Sequence, residues 1–358
     1  MLLKMNKIKL MKLKTYVLST LCFLALLSSC NKDDDNSIDL IPERDRTEQQ
    51  VSDFDSLQKY LKTHYYNRAT FLETGDHSIS EIIIKELPKD ESGNYLDMPD
   101  PDNNQMLSVA VDIDNPKTTT YQEVEYQFYI LELNEGGGVN PNFSDNVRMN
   151  YNGFFPNGTS FDGTVTPIEL DLMTLIPGWR EVIPEFKTSE GFVENSDGTV
   201  TYNNYGLGVM FLPSGLGYYG DPKGSVPAYS NLIFKFELYQ SEINDHDGDG
   251  IPSYMEDLNG NKNLYDDDTD GDGIPNFLDP DDDGDRILTI NEMTRQTYTV
   301  DTNNGEEEPI LSEGEFLRSR TNNGGVLTIK TLKVVDSDNN GVLDHLQEDV
   351  KIDYSIDN

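Results

Sequence analysis

Apolar and polar positions alternate with two different periods along the chain, and each change of period marks an element. Phe54, Leu57, Leu61 and Tyr65 recur at helical spacing, which predicts an amphipathic helix over residues 51–67. A period of two then predicts strands over 81–87 and 106–113, the latter with Leu107, Val109, Val111 and Ile113 on one face. Residues 89–104 between them, rich in Pro, Asp and Asn, read as a loop. Residues 121–133 alternate again and run through Glu135 and Gly136, Gly137 and Gly138 into 147–238. That stretch opens with a strand ending at the turn residues Pro156, Asn157 and Gly158, and closes with Leu232, Phe234, Phe236 and Leu238 pointing inward. Asp197-Gly198 predicts an extra hairpin within 191–207. Pro184 predicts that the helix beginning near Trp179 is short or kinked, because proline removes a helical hydrogen bond. Alternating runs at 296–300, 326–335 and 350–355 predict a small β-rich tail, so the fold class is α+β.

Charge and cysteine usage change the picture at the N-terminus. Lys4, Lys7, Lys9, Lys12 and Lys14 precede an apolar run over 16–27 that ends Leu-Ser-Ser-Cys30. About a dozen apolar residues fall short of the roughly 20 needed to span a bilayer, so 1–29 reads as a signal peptide. The Leu-Ser-Ser-Cys ending resembles a bacterial lipobox, which implies lipid attachment at Cys30 and a cell-envelope, outer-membrane location. Cys22 leaves with the signal, so the mature chain has no cysteine pair for a disulfide. Asn31-Lys32-Asp33-Asp34-Asp35 resembles the export tag of Bacteroidetes surface lipoproteins, and the polar stretch 36–50 reads as a linker. The formal net charge of -38 excludes nucleic acid as an obvious partner.

Beyond Gln240 the composition shifts to carboxylates, with sixteen acidic and two basic side chains over 244–292. They are spaced rather than clustered at random. Asp245, Asp247, Asp249 and Glu256 fit the D-x-D-x-D-G pattern with a distal acid, in which alternate carboxylates converge on one calcium ion. Asp268, Asp270, Asp272 and Asp279 repeat it, then Asp281, Asp283, Asp285 and Glu292. The carbonyls of Ile251, Ile274 and Ile287, at the seventh position, would add an oxygen each. Weaker copies use Asp257, Asn259, Asn261 and Asp268, and in the tail Asp336, Asp338, Asn340 and Gln347. Gly-Ile-Pro at 250–252 and 273–275 argues against EF-hands, whose exiting helix a proline opposes; the repeats resemble thrombospondin type 3 repeats. Disordered acidic spacer is the alternative.

Within 147–238 a series of small motifs carries the chemistry. Tyr151-x-Gly153 is followed by Phe161-Asp162, Ile176-Pro-Gly-Trp179, Tyr219-Gly220, Val226-Pro227 and a closing L-I-F-K-F-E-L strand. In this order they resemble the FKBP-type peptidyl-prolyl isomerases. The resemblance implies an antiparallel sheet wrapped around one short helix. It also implies a shallow apolar pocket formed by Tyr151, Phe161, Asp162, Ile176, Trp179, Tyr219, Val226 and Phe234, with Trp179 as its floor. Tyr219 would donate to a substrate carbonyl and Asp162 would face the twisting amide, with no cofactor needed for catalysis. Ile168 stands where the family often has an aromatic wall, and the 220–226 loop lacks the usual aromatic or His tip.

The expected organisation is a signal peptide (1–29), anchor and linker (30–50), small α+β lead-in (51–120), isomerase domain (121–240), calcium repeats (244–292) and β-rich tail (293–358). The implied partners are prolyl segments of extracytoplasmic proteins, and the membrane through the lipid. The alternatives are a non-catalytic peptide-binding module and a calcium-dependent adhesion module.

Overall fold

The helix expected over 51–67 starts earlier, in a polar stretch, and ends at Thr63, so that 64–66 form a strand instead. The computed structural model describes residues 43–356, and helix α1 spans Arg46–Thr63. The signal peptide, Cys30 and the acidic tag read from the sequence lie outside the described residues. Asp45 caps α1 by accepting from the Glu48 N–H at 3.0 Å, and buried Gln49 donates to Asp53 at 2.6 Å. Capping and buried polar contacts, invisible to apolar periodicity, thus carry the helix five residues into the expected linker.

After α1 the lead-in forms a three-stranded antiparallel sheet in which β1 (His64–Tyr66) lies between β2 (Ile84–Glu86) and β3 (Gln105–Met106). The predicted strand over 106–113 is corrected: Leu107–Ala110 is a single helical turn, α2. Leu107 and Val111, four apart, are buried in one cluster while Val109 is exposed, a helical arrangement that a short apolar run does not distinguish from a strand.

The main sheet is antiparallel and has β4 (Lys117–Tyr121), β5 (Val124–Asn134), β11 (Gly206–Leu212), β12 (Leu232–Glu242), β6 (Asn146–Phe154) and β7 (Ser160–Gly163) in that order, with β8 (Ile168–Asp171) also paired to β6. Gln122 and Glu123 join β4 to β5 with φ of 49° and 63°, a tight turn made without the glycine or asparagine that usually announces one. Every residue of β11 is buried, so its Leu207–Leu212 run shows no alternation. Val209 and Phe211 face the cluster built with Leu57, Tyr60 and Leu61 of α1, whereas Met210 and Leu212 face the other side. The lead-in therefore covers one face of the sheet.

The other face packs on helix α3 (Pro177–Val182), together with Val147, Met149, Phe234, Phe236 and Leu238. Proline at N1 starts α3, and a 3₁₀ turn over Ile183–Glu185 containing Pro184 ends it, as the sequence predicts. A Cβ on Gly178 would sit 2.3 Å from Leu212 Cδ1, so the helix reaches the sheet only because that position is glycine. The hairpin within 191–207 forms as β9 (Gly191–Glu194) and β10 (Val200–Asn203).

In the tail, β13 (Thr294–Asp301) and β15 (Val326–Lys333) pair, and β14 (Glu315–Asn323) adds to the free edge of β15. β14 is mostly exposed and polar, which is why periodicity does not mark it. The predicted strand over 350–355 is absent from the described residues; Tyr354 instead bonds Asn291 O through its N–H at 2.7 Å and Asp344 through its hydroxyl at 3.2 Å. The fold is mixed α/β with antiparallel sheets and few helices.

Candidate active site and acidic loops

The aromatic motifs converge between α3 and the main sheet. Trp179, 4% exposed, packs edge-on to Tyr151 at 5.7 Å and tilted against Phe234 at 5.0 Å. Tyr151, Asp162, Leu170, Thr174, Leu175, Ile176, Trp179, Tyr218, Lys223 and Phe234 enclose a hollow of about 290 Å³. Five of the eight residues expected at the pocket, Tyr151, Asp162, Ile176, Trp179 and Phe234, line it. Phe161 and Val226 support it from behind: Phe161 meets Phe234 edge-on at 5.4 Å, and Val226 is buried in the same core. Gly153 makes that packing possible, since a Cβ there would lie 2.7 Å from both rings.

Tyr219 is the correction. Its φ is 48°, which sends the ring away from the pocket; its hydroxyl donates to Arg44 O, and it packs edge-on to Tyr229 at 5.1 Å. Tyr218 stands in the pocket instead. In a Tyr-Tyr-Gly run only the backbone conformation decides which phenol faces inward.

Asp162 is exposed and held at both oxygens. Tyr151 Oη donates to Oδ2 at 2.9 Å and the Gly163 N–H to Oδ1 at 2.8 Å. Burial first, and then Asp162, raises the Tyr151 and Tyr218 phenols above the usual tyrosine value, so both remain neutral hydrogen-bond donors. The site is an aromatic slot with one oriented carboxylate and two phenols. Leu170, Thr174, Leu175, Tyr218 and Lys223 were not legible as lining residues, because none belongs to a recognisable motif.

The acidic segment folds as consecutive loops with one hydrogen-bond pattern. Asp245 accepts from Gly248 and Gly250 N–H, Asp247 from Asp249, and Asp249 from Ile251. The same offsets recur at Asp268, Asp270 and Asp272, and largely at Asp281, Asp283 and Asp285. Each loop leaves through a 3₁₀ turn rather than a helix, in line with the reading against EF-hands.

Three groups of carboxylate oxygens come within 4.8 Å of one another: Asp247, Asp249, Glu256 and Asp282; Asp268, Asp270 and Asp272; Asp281, Asp283 and Asp285. Asp282 is an addition to the expected set. Asp245 and Asp279 stand outside these groups, with Asp245 spent on turn N–H groups, and Glu292 lies beside the third with both oxygens buried and unpartnered. Ile251 is buried, Ile274 exposed and Ile287 half-buried. In the weaker loop, Asn259 and Asn261 donate to Asp266, and Asn259 also donates to Asp267, whose second oxygen is buried without a partner. In the first and third groups, buried oxygens of Asp247, Asp249, Glu256, Asp281, Asp282, Asp283 and Asp285 take no hydrogen bond. Burial, then neighbouring carboxylates, push Glu256 up to about 11 and Asp282 and Glu292 to about 9. Hard oxygens whose ionised forms are disfavoured by burial and by one another, with Lys351 Nζ 3.6 Å from Asp285 Oδ2 as a nearby counter-charge, fit a divalent cation such as Ca²⁺.

The aromatic slot lies beside a short helix on an antiparallel sheet. The chain is 27% identical over 198 residues to the FKBP-type peptidyl-prolyl cis-trans isomerase FkpA of Aeromonas hydrophila, covering 54% of this chain and 64% of that protein. It is 26% identical over 130 residues to the FKBP-type 22 kDa peptidyl-prolyl cis-trans isomerase of Escherichia coli (strain K12), covering 36% and 56%. Its homologues are thus FKBP-type isomerases at modest identity over about half the chain, and the chain spans less than two thirds of these relatives. Among solved structures, FkpA from Escherichia coli aligns at 25% identity and TM-score 0.27, covering 35% of this chain and 51% of that one. A peptidyl-prolyl isomerase from Pseudomonas syringae pv. tomato aligns at 22% identity and TM-score 0.27, covering 32% and 75%. Residues 246–315 match the family model described as BamM C-terminal, which begins in the first acidic loop and ends where β14 begins.

Proposed function

We propose that the chain is an FKBP-type peptidyl-prolyl cis-trans isomerase acting on prolyl segments of proteins outside the cytoplasm, held to the outer membrane by a lipid on Cys30. The observation that carries this reading is the aromatic slot floored by Trp179, with Tyr151 holding Asp162 at its rim. Rotation about an X-Pro bond faces a barrier of about 18–20 kcal/mol because amide resonance must be broken. A planar amide has more charge separation than a twisted one, so a slot that removes water while supplying few dipoles disfavours the planar state relative to the transition state. Trp179, Phe234 and Ile176 would receive the proline ring. Tyr218 would donate to a substrate carbonyl, and Asp162 would face the carbonyl carbon as it twists. No proton transfer is needed, and no cofactor takes part in catalysis.

The acidic loops are read as structural calcium sites that order residues 244–292 and present the isomerase away from the membrane. Support comes from the buried, unpartnered carboxylates of the first and third groups. No described helix is long and apolar enough to cross a membrane, so on this reading attachment rests on the lipid.

A protease-coupled assay with an X-Pro peptide tests the catalytic reading. The chain should accelerate cis-to-trans conversion, best with a bulky apolar residue before proline. Turnover equal to buffer with retained peptide binding would leave a binding module. Limited proteolysis of the chain with calcium and with chelator tests the second reading; equal cleavage would make the loops a plain acidic spacer.

A further inference from the structure

We propose that Asp247, Asp249, Glu256 and Asp282 form one divalent-cation site joining the first acidic loop to the third, and that its occupancy sets the wall of the aromatic pocket. The inference rests on the two readings above and adds a ligand, a site and a link between them. Asp282 occupies a position that the repeat pattern leaves free: it falls between Asp281 and Asp283, which belong to the third loop's own group. It turns instead toward the first loop, with its backbone N–H bonded to Thr289 Oγ1 at 3.2 Å. Glu256 and Asp282 are 3% and 2% exposed, and neither carboxylate takes a hydrogen bond on either oxygen. With Oδ2 of Asp247 and of Asp249, the four residues hold six unpartnered oxygens, and one from each residue lies within 4.8 Å of the others; Ca²⁺, which accepts six to eight oxygens, could take the rest of its shell from bidentate carboxylates or water. Mg²⁺, which keeps several waters and demands a strict octahedron, suits a buried four-carboxylate cluster less well.

The first of the loops so tied, and the stretch of chain between the two, rest directly on the segment that builds the pocket. His246, between two members of the first loop, lies 3.3 Å from Asp171 Oδ2 through Nε2 and edge-on to Phe277 at 5.2 Å. Phe277 and Leu264 bury Met173. Lys262 donates to Glu181 of α3 at 2.9 Å. Between these contacts run Thr174, Leu175, Ile176 and Trp179, four of the pocket's lining residues. A cation that fixes the loops relative to each other therefore fixes the platform under that wall. Without it, nothing ties the two loops through these side chains and the platform loosens.

The chain contains a single tryptophan, Trp179, so its fluorescence reports the pocket independently of catalysis. Calcium titration of the full chain, followed by calorimetry and by Trp179 emission, should show tight sites, one of which shifts the emission; chelator should reverse the shift and slow isomerisation at least fivefold. Asp282→Asn should weaken one site at least tenfold and abolish the emission change, while Asp270→Asn, in the exposed second loop, should leave the emission change intact. Leu264→Ala, which carries no ligand, should keep the binding stoichiometry and lose the emission response, so the test survives an Asp282 variant that does not fold. Unchanged affinity in Asp282→Asn would overturn the joint site, and calcium binding with no change in Trp179 emission would overturn the link. A chain that shows the emission response yet never turns over substrate refutes the isomerase reading and leaves the cation link standing.

Discussion

The two adjacent tyrosines offer a test that separates stability from rate. Tyr219→Phe removes a hydroxyl that donates to the Arg44 carbonyl and does not line the pocket. A net hydrogen bond contributes about 1 kcal/mol. Arg44 is exposed, so water can rehydrate its carbonyl, and the loss should stay near that figure, a fall in Tm of about 2 °C for a chain this long. Turnover should be unchanged. Tyr218→Phe removes the phenol of the pocket, whose raised proton affinity reflects burial and the neighbouring Asp162. Losing one hydrogen bond made to the substrate carbonyl in the transition state, about 1–1.5 kcal/mol, should slow isomerisation roughly 5- to 12-fold with Tm within a degree of wild type. Both variants are measured by differential scanning calorimetry and by the protease-coupled assay. The reasoning fails if Tyr219→Phe is the slow variant at unchanged Tm while Tyr218→Phe turns over normally, for then the inward phenol belongs to Tyr219 and the positive φ at that residue is not its working conformation.

Gly153→Ala places a methyl 2.7 Å from Phe161 Cζ and Phe234 Cε1; overpacking of about 1–3 kcal/mol should appear in urea unfolding together with weaker peptide binding. Glu315 accepts from Thr331, Ser312 and Tyr298, and the Thr331 hydrogen bond foremost holds its carboxyl down at about 2, below the ordinary 4.5. Because the folded value is depressed, its contribution is complete above pH 4.5 and disappears as pH falls toward 2, so Glu315→Gln should lower Tm at pH 6 and cease to matter near pH 2. Cys30→Ser should release the protein from membranes, checked by fractionation and by mass spectrometry of the mature N-terminus.

What was legible in the sequence depended on whether one residue's chemistry decided the outcome. Pro184 ended α3 wherever else the chain went, and Asp197-Gly198 made its hairpin, since each acts through its own backbone. Trp179, Phe234 and Tyr151 could be placed because several motifs in order constrained them together. Tyr219 could not, because the difference between two neighbouring phenols lies in a single φ angle. The strand over 106–113 failed for a related reason: four apolar residues at alternate positions also satisfy one helical turn, and the packing of Leu107 and Val111 against α1 chose the helix. The start of α1 escaped because its first turn is held by Asp45 and Gln49 rather than by apolar burial.

The acidic segment shows the same limit at a larger scale. A repeat pattern assigns ligands within each loop, since it compares a loop only with its own copies, and by that logic Asp282 is a spacer between two ligands. Burial gives it another role, because a carboxylate 2% exposed with both oxygens unpartnered cannot be a solvated spacer. The boundary near Gln240 is blurred for the same reason. Composition changes abruptly there, yet Met173 of the sheet domain is buried by Leu264 and Phe277 of the acidic segment, and Lys262 pairs with Glu181 two residues after Trp179. A composition boundary marks where the means of stabilisation changes, from apolar packing to carboxylates that need a counter-charge, and not where contact ends. A fragment cut at Gln240 would expose Met173 and leave Glu181 without that partner, so its pocket should be looser than that of the intact chain even though every lining residue is present.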